Sequence, residues 1–389
     1  MRSIAAVGNV SDIQSWSGIP FHFWQAGVAA GYSMEPWRVN LGRNTLRRYL
    51  WNSGQMLRGQ RGGFQYSPWF LGALESQIPD DQWTGEILSF NQHFPRVSSV
   101  HRRGGELSHY LDAPFAALAT GRGLDLQLPK RVVQNALELE RENYASSRRV
   151  ITMARWAAEV VVRECGVAEE KVGVILPGAN LALPDDWHFP SPNGRAGRER
   201  DFTLGFVGKD WLRKGLPLLV AVRDELSRRG WRVRVRAAGD APSEMQRREG
   251  VEFVGYLDKH KNTPAFLDFL STCDVGCLFS EREAFGISTL EFLRAGIPVV
   301  GFAHEGPADS LPPDAGFRFS LGCSSQEIAD RLEEYLRYEE AQWEFRSNAR
   351  KWSELVTWER CIREFQEFWT TGVVAKPVRP WQGLMHSGL

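Results

Sequence analysis

Short apolar runs alternate with stretches of helical periodicity along most of this chain, and this alternation constrains the fold more than any other feature. In the second half, apolar runs stand at 202–208, 232–239, 251–255, 275–279 and 298–302. Stretches with a helical spacing of apolar residues lie between most of them, at 216–229, 265–272, 288–295 and 326–338. Buried strands that alternate with helices are typical of parallel sheets. The pattern therefore predicts a doubly wound α/β domain.

The first half shows a weaker form of the same alternation. Its apolar runs stand at 3–8, 86–90, 150–152 and 171–178, and its helical stretches at 19–30, 128–144 and 155–165. We interpret this half as a second Rossmann-like unit. Between the halves, residues 184–200 contain three prolines, two glycines and little apolar content, which is typical of a hinge.

The length of 389 residues is too great for one hydrophobic core, so two domains are expected. A carboxy-terminal helix could cross back to the first domain. The boundaries that we predict are 1–185 for the first domain, 186–200 for the linker, 201–355 for the second domain, 356–372 for the helix and 373–389 for the tail.

Charge and cysteine content exclude several classes of protein. Lys and Arg together number 47, as do Asp and Glu, so no net positive charge attracts nucleic acid. The five cysteines lack the paired spacing of a zinc site, which favours a reduced, cytoplasmic setting. The apolar run at 4–7 is too short for a signal-peptide core, and no window approaches the roughly 20 apolar residues of a membrane span. We expect a cytoplasmic protein that is not integral to a membrane.

Two glutamates bracket the start of a predicted helix in the segment EREAFGISTLEFLRAGIPVV, residues 281–300. An unpaired buried carboxylate is costly, so Glu283 and Glu291 need a reason to stand there. The amino terminus of a helix favours phosphate, and Gly286 allows a close backbone approach. The backbone around this start belongs to Phe285, Gly286, Ile287 and Ser288, and Ser288 could cap the helix.

A nucleotide sugar is the ligand that explains both glutamates. Glu291 falls about one turn into the helix, where its carboxylate could accept two hydrogen bonds from the diol of a ribose. Glu283 lies in the loop before the helix, where it could take sugar hydroxyls or balance a developing positive charge. The alternative is a capped surface helix with solvated acids.

Cations for a diphosphate stand in a second segment, FVGKDWLRKGLPLL. Lys209 follows the strand-ending Gly208, and Lys214 precedes a glycine at the start of the next helix. Two lysines there could neutralise a diphosphate leaving group without a metal, and Arg213 is a spare cation. The alternative is a solvated loop.

Together these segments resemble the retaining GT-B glycosyltransferases of glycosyltransferase family 4. VGKDWLRKG is similar to the family's VGR…KG segment, and SEREAFGISTLEFLRAGIPVV is similar to its S…E-G-F-G…E-A…A-G-x-P-V-V segment. The resemblance is specific over 202–302 and weaker over 140–181. It implies an α/β GT-B fold, in which two Rossmann-like doubly wound domains face each other across an interdomain cleft. The first domain, 1–185, would then bind the acceptor, and the second, 201–355, the nucleotide sugar.

The resemblance also implies roles for individual residues. It implies that Glu283 contacts the transferred sugar, that Glu291 contacts the ribose, and that Lys214 contacts the diphosphate. Lys209 stands where the family more often has arginine, and a lysine offers a point charge in place of a bidentate fork. In the resemblance, Glu283 and Lys214 are therefore catalytic candidates.

The first half offers fewer candidates. SDIQSWSGIPFHFWQAG is similar to the family's glycine-bearing loop, in which Gly18 would approach the diphosphate; the alternative is a glycine that only starts a helix. The family often has a histidine near the reacting sugar, and His93 follows a predicted strand, with His101 as its competitor. A structural role for His93 is the alternative.

An arginine-rich stretch follows the first predicted helix. Residues 36–74 contain six arginines, between Arg38 and Arg61, interleaved aromatic residues and no acid. Arginines among aromatics suit an anionic membrane surface or a lipid-linked acceptor. The alternative is an irregular insertion whose aromatics pack inward.

The sequence as a whole predicts a retaining glycosyltransferase of hexosyl type, in glycan or polysaccharide biosynthesis. It would need no cofactor and no metal, only a nucleotide-diphosphate sugar as donor and a glycan or lipid-linked acceptor. Contact at the inner face of a membrane through Arg38–Arg61 and no nucleic-acid partner are expected. The alternatives are a GT-B nucleotide-sugar epimerase and a non-catalytic nucleotide-sugar-binding subunit of a polysaccharide assembly complex.

Overall fold

A computed structural model describes residues 2–60, 62–119, 128–191 and 201–371. The described chain forms two compact units, the first from 2–177 with 358–371 and the second from 178–357. Most of the predicted linker at 186–200, Arg61 and the predicted tail at 373–389 lie outside the described residues.

The first unit is built on a parallel sheet with the strand order β2-β1-β3-β4-β5-β6. Its strands are β1 (Arg2–Ala5), β2 (Met34–Pro36), β3 (Gly85–Ser89), β4 (Gly105–Leu111), β5 (Arg149–Thr152) and β6 (Val172–Val174). Its helices are α1 (Ile19–Ala29), α2 (Thr45–Met56), α3 (Pro68–Glu75), α4 (Val97–Arg102), α5 (Phe115–Ala119), α6 (Lys130–Ser146) and α7 (Arg155–Arg163).

Several of these elements differ from the sequence prediction, which contained neither β2 nor β4 and none of the helices from α2 to α5. The central strand β4 was not predicted, because Ser108 and His109 interrupt its apolar run. Helix α6 begins at Lys130, since Pro129 occupies the position before its first turn. The run predicted at 171–178 forms a strand only over its first residues, as β6.

The second unit has a parallel sheet with the order β12-β11-β10-β7-β8-β9. Its strands are β7 (Asp201–Val207), β8 (Arg232–Ala238), β9 (Val251–Gly255), β10 (Val275–Leu278), β11 (Val299–Phe302) and β12 (Gly316–Phe319). Its helices are α8 (Leu216–Arg228), α9 (Ser243–Gln246), α10 (Thr263–Ser271), α11 (Ile287–Arg294), α12 (Pro307–Ser310), α13 (Ser325–Arg337) and α14 (Glu339–Leu355).

All strands predicted in this half are present within one or two residues. Strands β10 and β11 are buried throughout and apolar on both faces, as is typical of parallel strands, whereas β8 alternates arginine with buried valine. Strand order reverses beside β7, where the chain passes from β9 back to β10. In open parallel sheets, ligands bind at the carboxyl ends of the strands near such a reversal. The loops after β7 and β10 therefore lie where a ligand site is expected.

The last helix, α15 (Trp358–Thr371), packs on the first unit. Its Phe365 ring lies 4.9 Å from the ring of Phe23 and 4.8 Å from that of Tyr110, centroid to centroid. The chain therefore returns to the unit in which it began. In the part of the chain that the structure describes, no helix is both long enough and apolar enough to cross a membrane.

Candidate functional site

Charged side chains converge on Glu283, in the loop that follows β10. Its Oε2 atom lies 3.2 Å from Nη1 of Arg213 and 3.1 Å from Nζ of Lys214. The hydroxyl of Ser280 lies 3.3 Å from the same oxygen. Both cations belong to the loop after β7, so the contact joins the two strand ends at the reversal. Only 12% of the Glu283 side chain is exposed.

The protonation state of Glu283 follows from this environment. Burial acts to raise the pKa of its carboxyl, while the charges of Lys214 and Arg213 and their hydrogen bonds lower it. The net pKa lies below the ordinary value. Glu283 is therefore a carboxylate at neutral pH. Arg213 also pairs with Asp210, whose Oδ2 lies 3.1 Å from Nε of Arg213, so the cluster contains two positive and two negative charges.

Two glycines allow Lys214 to reach this position. A Cβ atom on Gly208 would stand 2.4 Å from Cδ of Lys214, so the stem of the lysine lies over a residue without a side chain. Gly215 has φ +77° and caps α8, and a Cβ atom there would stand 2.3 Å from the carbonyl oxygen of Phe279. The loop can therefore turn beside the end of β10 only with glycine at this position.

The amino terminus of α11 lies just beyond Glu283. Gly286 is its cap residue, at φ +85°, and no side chain caps the helix. The expectation that Ser288 caps α11 is therefore wrong, because Ser288 is already inside the first turn. The first N–H groups of a helix, here those of Ile287 and Ser288, have no partner within the helix. Phe285 is buried beside the loop and anchors this start.

Glu291 lies on α11 and is almost fully buried. Its carboxylate forms an ion pair with Lys259, which stands in the loop after β9. Because that loop is at the carboxyl edge of the sheet, the contact places the Glu291 side chain at the same edge. The ion pair uses Oε1, and no described residue donates to Oε2. One carboxylate oxygen thus remains for a hydroxyl donor.

Lys209 extends from the end of β7 toward the end of β9. Its Nζ atom lies 4.8 Å from the centre of the Tyr256 ring, a cation–π contact. Both residues are exposed. Lys209 therefore belongs to the same edge of the sheet but lies in a wetter environment than Lys214.

The loop after β11 supports the Glu283 loop from the other side. Glu305 accepts a hydrogen bond of 3.1 Å from the backbone N–H of Glu283 and pairs with Arg282 at 2.9 Å. Its φ of 53° is left-handed and strained for a residue with a side chain. A Cβ atom on Gly306 would stand 2.1 Å from the carbonyl oxygen of Ala284, so glycine is required where the loops meet.

The structure thus brings most of the predicted donor-site residues of the second unit to one edge of one sheet. Sequence reasoning missed Lys259 and Glu305, and it treated Arg213 only as a spare cation. Both missed residues follow predicted strands, but their partners are distant in the sequence. In the described residues, no group of three or more His, Cys, Asp or Glu is placed to hold a metal ion. The expectation of a metal-free reaction stays a prediction.

Gly18 lies in the first unit and caps α1 at φ +82°. A Cβ atom there would stand 3.1 Å from the carbonyl oxygen of Ile13. Trp16 and Ser17, just before it, are also left-handed, at φ 50° and 57°. Glycine is therefore needed for the turn that starts α1, and its proposed approach to a diphosphate stays a prediction.

His93 is packed inside the first unit. Its Nε2 atom lies 3.0 Å from the carbonyl oxygen of Ala136, and its ring meets those of Tyr66 and Phe115. Burial lowers the pKa of His93 to about 4, so the ring is neutral at physiological pH. This is the environment of a structural histidine. Its competitor His101 is exposed near the end of α4.

Solved structures identify the fold class. Sucrose-phosphate synthase from Thermosynechococcus elongatus is 15% identical, covers 95% of this chain and 98% of its own, and has a TM-score of 0.67. WaaG, a glycosyltransferase involved in lipopolysaccharide biosynthesis, is 15% identical over 95% and 99%, with a TM-score of 0.64. HepE from Anabaena, in complex with UDP and glucose, is 17% identical over 74% and 77%, with a TM-score of 0.55. The α/β, GT-B fold class is confirmed.

Sequence comparisons concern the second unit above all. Residues 192–352 match the family model described as "Glycosyl transferases group 1", so the chain carries a domain of that type. A probable transglycosylase of Burkholderia thailandensis is 28% identical over 200 residues, 50% of this chain and 52% of that protein. D-inositol 3-phosphate glycosyltransferase of Kribbella flavida is 26% identical over 190 residues, 45% of each chain. The chain spans about half the length of the curated relatives it matches.

Proposed function

We propose that this protein is a glycosyltransferase that moves a hexosyl group from a nucleotide-diphosphate sugar to an acceptor hydroxyl with retention of configuration. The proposal includes the family 4 mechanism and a place in glycan or polysaccharide biosynthesis. It rests on the second unit, whose matched domain contains all the charged groups described above.

One observation carries the proposal. Glu283 is held as a carboxylate by Lys214 and Arg213 at the point where strand order reverses, at distances of 3.1 and 3.2 Å. Four charged side chains gather at this edge, and the pair of Glu283 with Lys214 is largely buried. The cost of desolvating a buried pair offsets much of the stability that it adds, so ligand binding accounts for this cluster better than stability does. Two cations and a helix amino terminus together make a site for a diphosphate.

In the proposed reaction, the bond between the sugar's anomeric carbon and the diphosphate oxygen breaks. Lys214, Arg213 and the first amides of α11 stabilise the negative charge that develops on the leaving diphosphate. Lys209 adds a weaker contribution from a more exposed position. Glu291 binds the ribose through the oxygen that Lys259 leaves available.

Glu283 orients the sugar and balances the positive charge that develops at the anomeric carbon. It is not a general acid, because its lowered pKa leaves no proton to donate at neutral pH. No carboxylate is assigned as a nucleophile. The acceptor hydroxyl attacks from the face that the diphosphate leaves, and a diphosphate oxygen takes its proton, which gives retention and balances the step.

The choice of a first donor and acceptor to test is guided by a protein of similar fold. HepE is described in complex with UDP and glucose. A uridine diphosphate hexose is therefore the first donor to test here, with a glycan or lipid-linked glycan as acceptor.

A transfer assay tests this proposal. The protein is incubated with uridine, guanosine, adenosine and thymidine diphosphate sugars, with and without a panel of glycan acceptors, and released nucleotide and product anomer are measured. We expect release that depends on the acceptor and a product with the donor's configuration. An inverted product would contradict the retaining mechanism, and interconversion of donors without an acceptor would indicate an epimerase. Binding without turnover would indicate a non-catalytic subunit.

A further inference from the structure

Helix α2 of the first unit buries polar side chains and exposes apolar ones. Its inward side carries Asn44, at its start, and Gln55, both buried, with Trp51 half-buried and bonded through its indole N–H to the carbonyl oxygen of Gly62 at 3.0 Å. Its outward side carries apolar residues. The fully buried residues of this helix are therefore polar, and only the ring of Trp51 packs on the core from it, whereas its aliphatic residues face solvent. An ordinary surface helix buries its aliphatic residues.

The outward apolar residues form a continuous stripe, because they recur at spacings of three, four and seven. We call this set the α2 outer face. It consists of Leu46 (71% exposed), Tyr49 (63%), Leu50 (56%), Met56 (72%) and Leu57 (90%). Single exposed apolar residues need no explanation, but five on one side of one helix mark an interaction surface.

The charged residues of the segment that contains this face all have one sign. Five described arginines in the segment are exposed, and none forms an ion pair with any described residue: Arg38, Arg43, Arg47, Arg48 and Arg58. The sequence between Glu35 and Glu75 contains no acid. The partner must therefore be both apolar and anionic.

These two requirements exclude other occupants. A second copy of the chain would bring arginines against arginines in a symmetric interface, which is repulsive. A nucleic acid would neutralise the arginines but would offer no apolar surface to the leucines. A bilayer with anionic headgroups meets both requirements, because aliphatic residues enter the acyl boundary while arginines remain among the headgroups.

We propose that the α2 outer face docks on the surface of a lipid bilayer that contains anionic phospholipid. The helix lies in the plane of the interface, with its leucines inserted and its arginines on the lipid phosphates. This proposal goes beyond the glycosyl transfer and does not depend on it. It concerns the first unit alone.

Co-sedimentation with lipid vesicles tests the proposal. The full chain is mixed with vesicles of phosphatidylcholine alone and with vesicles that also contain phosphatidylglycerol. We expect binding only to the second kind, reduced by high salt because screening weakens the attraction. The triple variant Arg47→Gln, Arg48→Gln and Arg58→Gln should bind about 100-fold more weakly, at about 1 kcal/mol for each basic residue.

A second pair of variants separates the apolar contribution from the charge. Leu46→Glu with Leu50→Glu should abolish vesicle binding, and the matched change Leu321→Glu with Tyr338→Glu, at exposed apolar positions of the second unit, should retain it. All four side chains are exposed, so circular dichroism should show the native fold. Unchanged binding of the Leu46→Glu, Leu50→Glu protein would overturn the proposal.

Two other results would also contradict the proposal. One is the absence of binding to anionic vesicles. The other is a dimer in sedimentation equilibrium that dissociates when Leu50 is replaced by Glu, which would assign the face to a second copy. Nucleotide binding by the Leu46→Glu, Leu50→Glu variant is measured in parallel, so a failure of lipid docking is distinct from a failure of the proposed transfer.

Discussion

Each unit of this protein buries a glutamate, and the two are stabilised in opposite ways. Glu140, on α6 of the first unit, forms no ion pair within the described part of the chain. It accepts hydrogen bonds from the N–H groups of Phe115 and Ala116 and from the hydroxyl of Tyr144, at 2.5, 2.9 and 2.8 Å. Glu283 of the second unit contacts two cations. Burial raises the pKa of Glu140 to about 7, partly offset by its donors, whereas the cations hold the pKa of Glu283 low.

This difference distinguishes a structural acid from a functional one. Glu140 closes the start of a short helix and uses groups of its own unit as partners, so it has no capacity left for a ligand. Glu283 is paired with lysine and arginine side chains at the edge of a sheet, and a diphosphate could share these cations. His93 and Lys214 differ in the same way. His93 is enclosed by aromatic rings inside the first unit, whereas Lys214 lies at the edge of the second sheet.

The comparison predicts its largest effect on catalysis when Glu283 is replaced. Glu283→Gln keeps the shape but removes the charge, so Lys214 and Arg213 lose their partner and the sugar loses its anchor. We expect kcat to fall on the order of 10³-fold, the size seen when one transition-state contact is removed. Steady-state kinetics of nucleotide release measures this. The exposed neighbour Glu281 is the control, since Glu281→Gln should leave kcat nearly unchanged.

Glu140 should instead affect stability, through pH. Its folded-state pKa of about 7 lies above the ordinary 4.5, so the folded protein holds this proton more tightly than the unfolded chain does. The free energy of unfolding should therefore fall as the pH rises from 4.5 to 7, by about 3 kcal/mol from this group. Glu283, with its lowered pKa, contributes the opposite slope below pH 4.5.

Urea denaturation at several pH values measures that slope. In Glu140→Gln, the contribution of this group to the pH dependence should disappear. Glu138 lies on the same helix but is exposed, and Glu138→Gln should keep the native dependence. If the two variants have the same pH dependence, the assignment of Glu140 as a structural acid with a raised pKa is wrong.

Lys214→Ala tests the same ion pair by removing one of its cations. Removing one partner of a buried charge pair leaves Glu283 with Arg213 alone and removes a contact to the diphosphate. We expect nucleotide-sugar affinity to fall about 100-fold, because such truncations cost about 2–5 kcal/mol. Calorimetric titration measures the affinity. Lys261→Ala, at a side chain that is 84% exposed, is the matched control.

The smallest predicted effect is that of Lys209→Ala. Its ammonium is exposed and contacts the Tyr256 ring, a contact of about 0.5–1 kcal/mol at such sites. We expect nucleotide affinity to fall about fivefold. The loss should be larger at low salt, because less salt screens the exposed charge of Lys209 less. A loss as large as that of Lys214→Ala would mean that Lys209 is the principal phosphate contact.

The sequence predicted the second unit well for a physical reason. Strands β7, β10 and β11 are buried almost throughout and are mostly apolar, and β8 alternates arginine with valine, so these strands stand out between amphipathic helices. The missed strand β4 carries polar residues inside the sheet. His109 of β4 lies against the Tyr144 ring in a fully buried position, which no sequence pattern distinguishes from a loop.

The same limit applies to the site. Glu283, Glu291 and Lys214 were predictable because they stand within a few residues of strand ends and helix starts. Lys259 was not, because its pairing with Glu291 joins positions 32 apart in the chain. Glu305 was missed because its role depends on a backbone contact with the Glu283 loop, and a local sequence pattern does not show which loops meet.

The central claim is that the carboxyl edge of the second sheet binds a nucleotide sugar. The most direct test is a thermal-shift panel of UDP, GDP, ADP and TDP with their sugars on the native protein, Lys214→Ala and Glu291→Ala. Ligand at about 100 times its dissociation constant should stabilise the fold by roughly 2.7 kcal/mol. We predict that one base raises the midpoint of the native protein and that both variants lose the shift. Equal shifts in all three proteins, or none with any nucleotide, would contradict the claim.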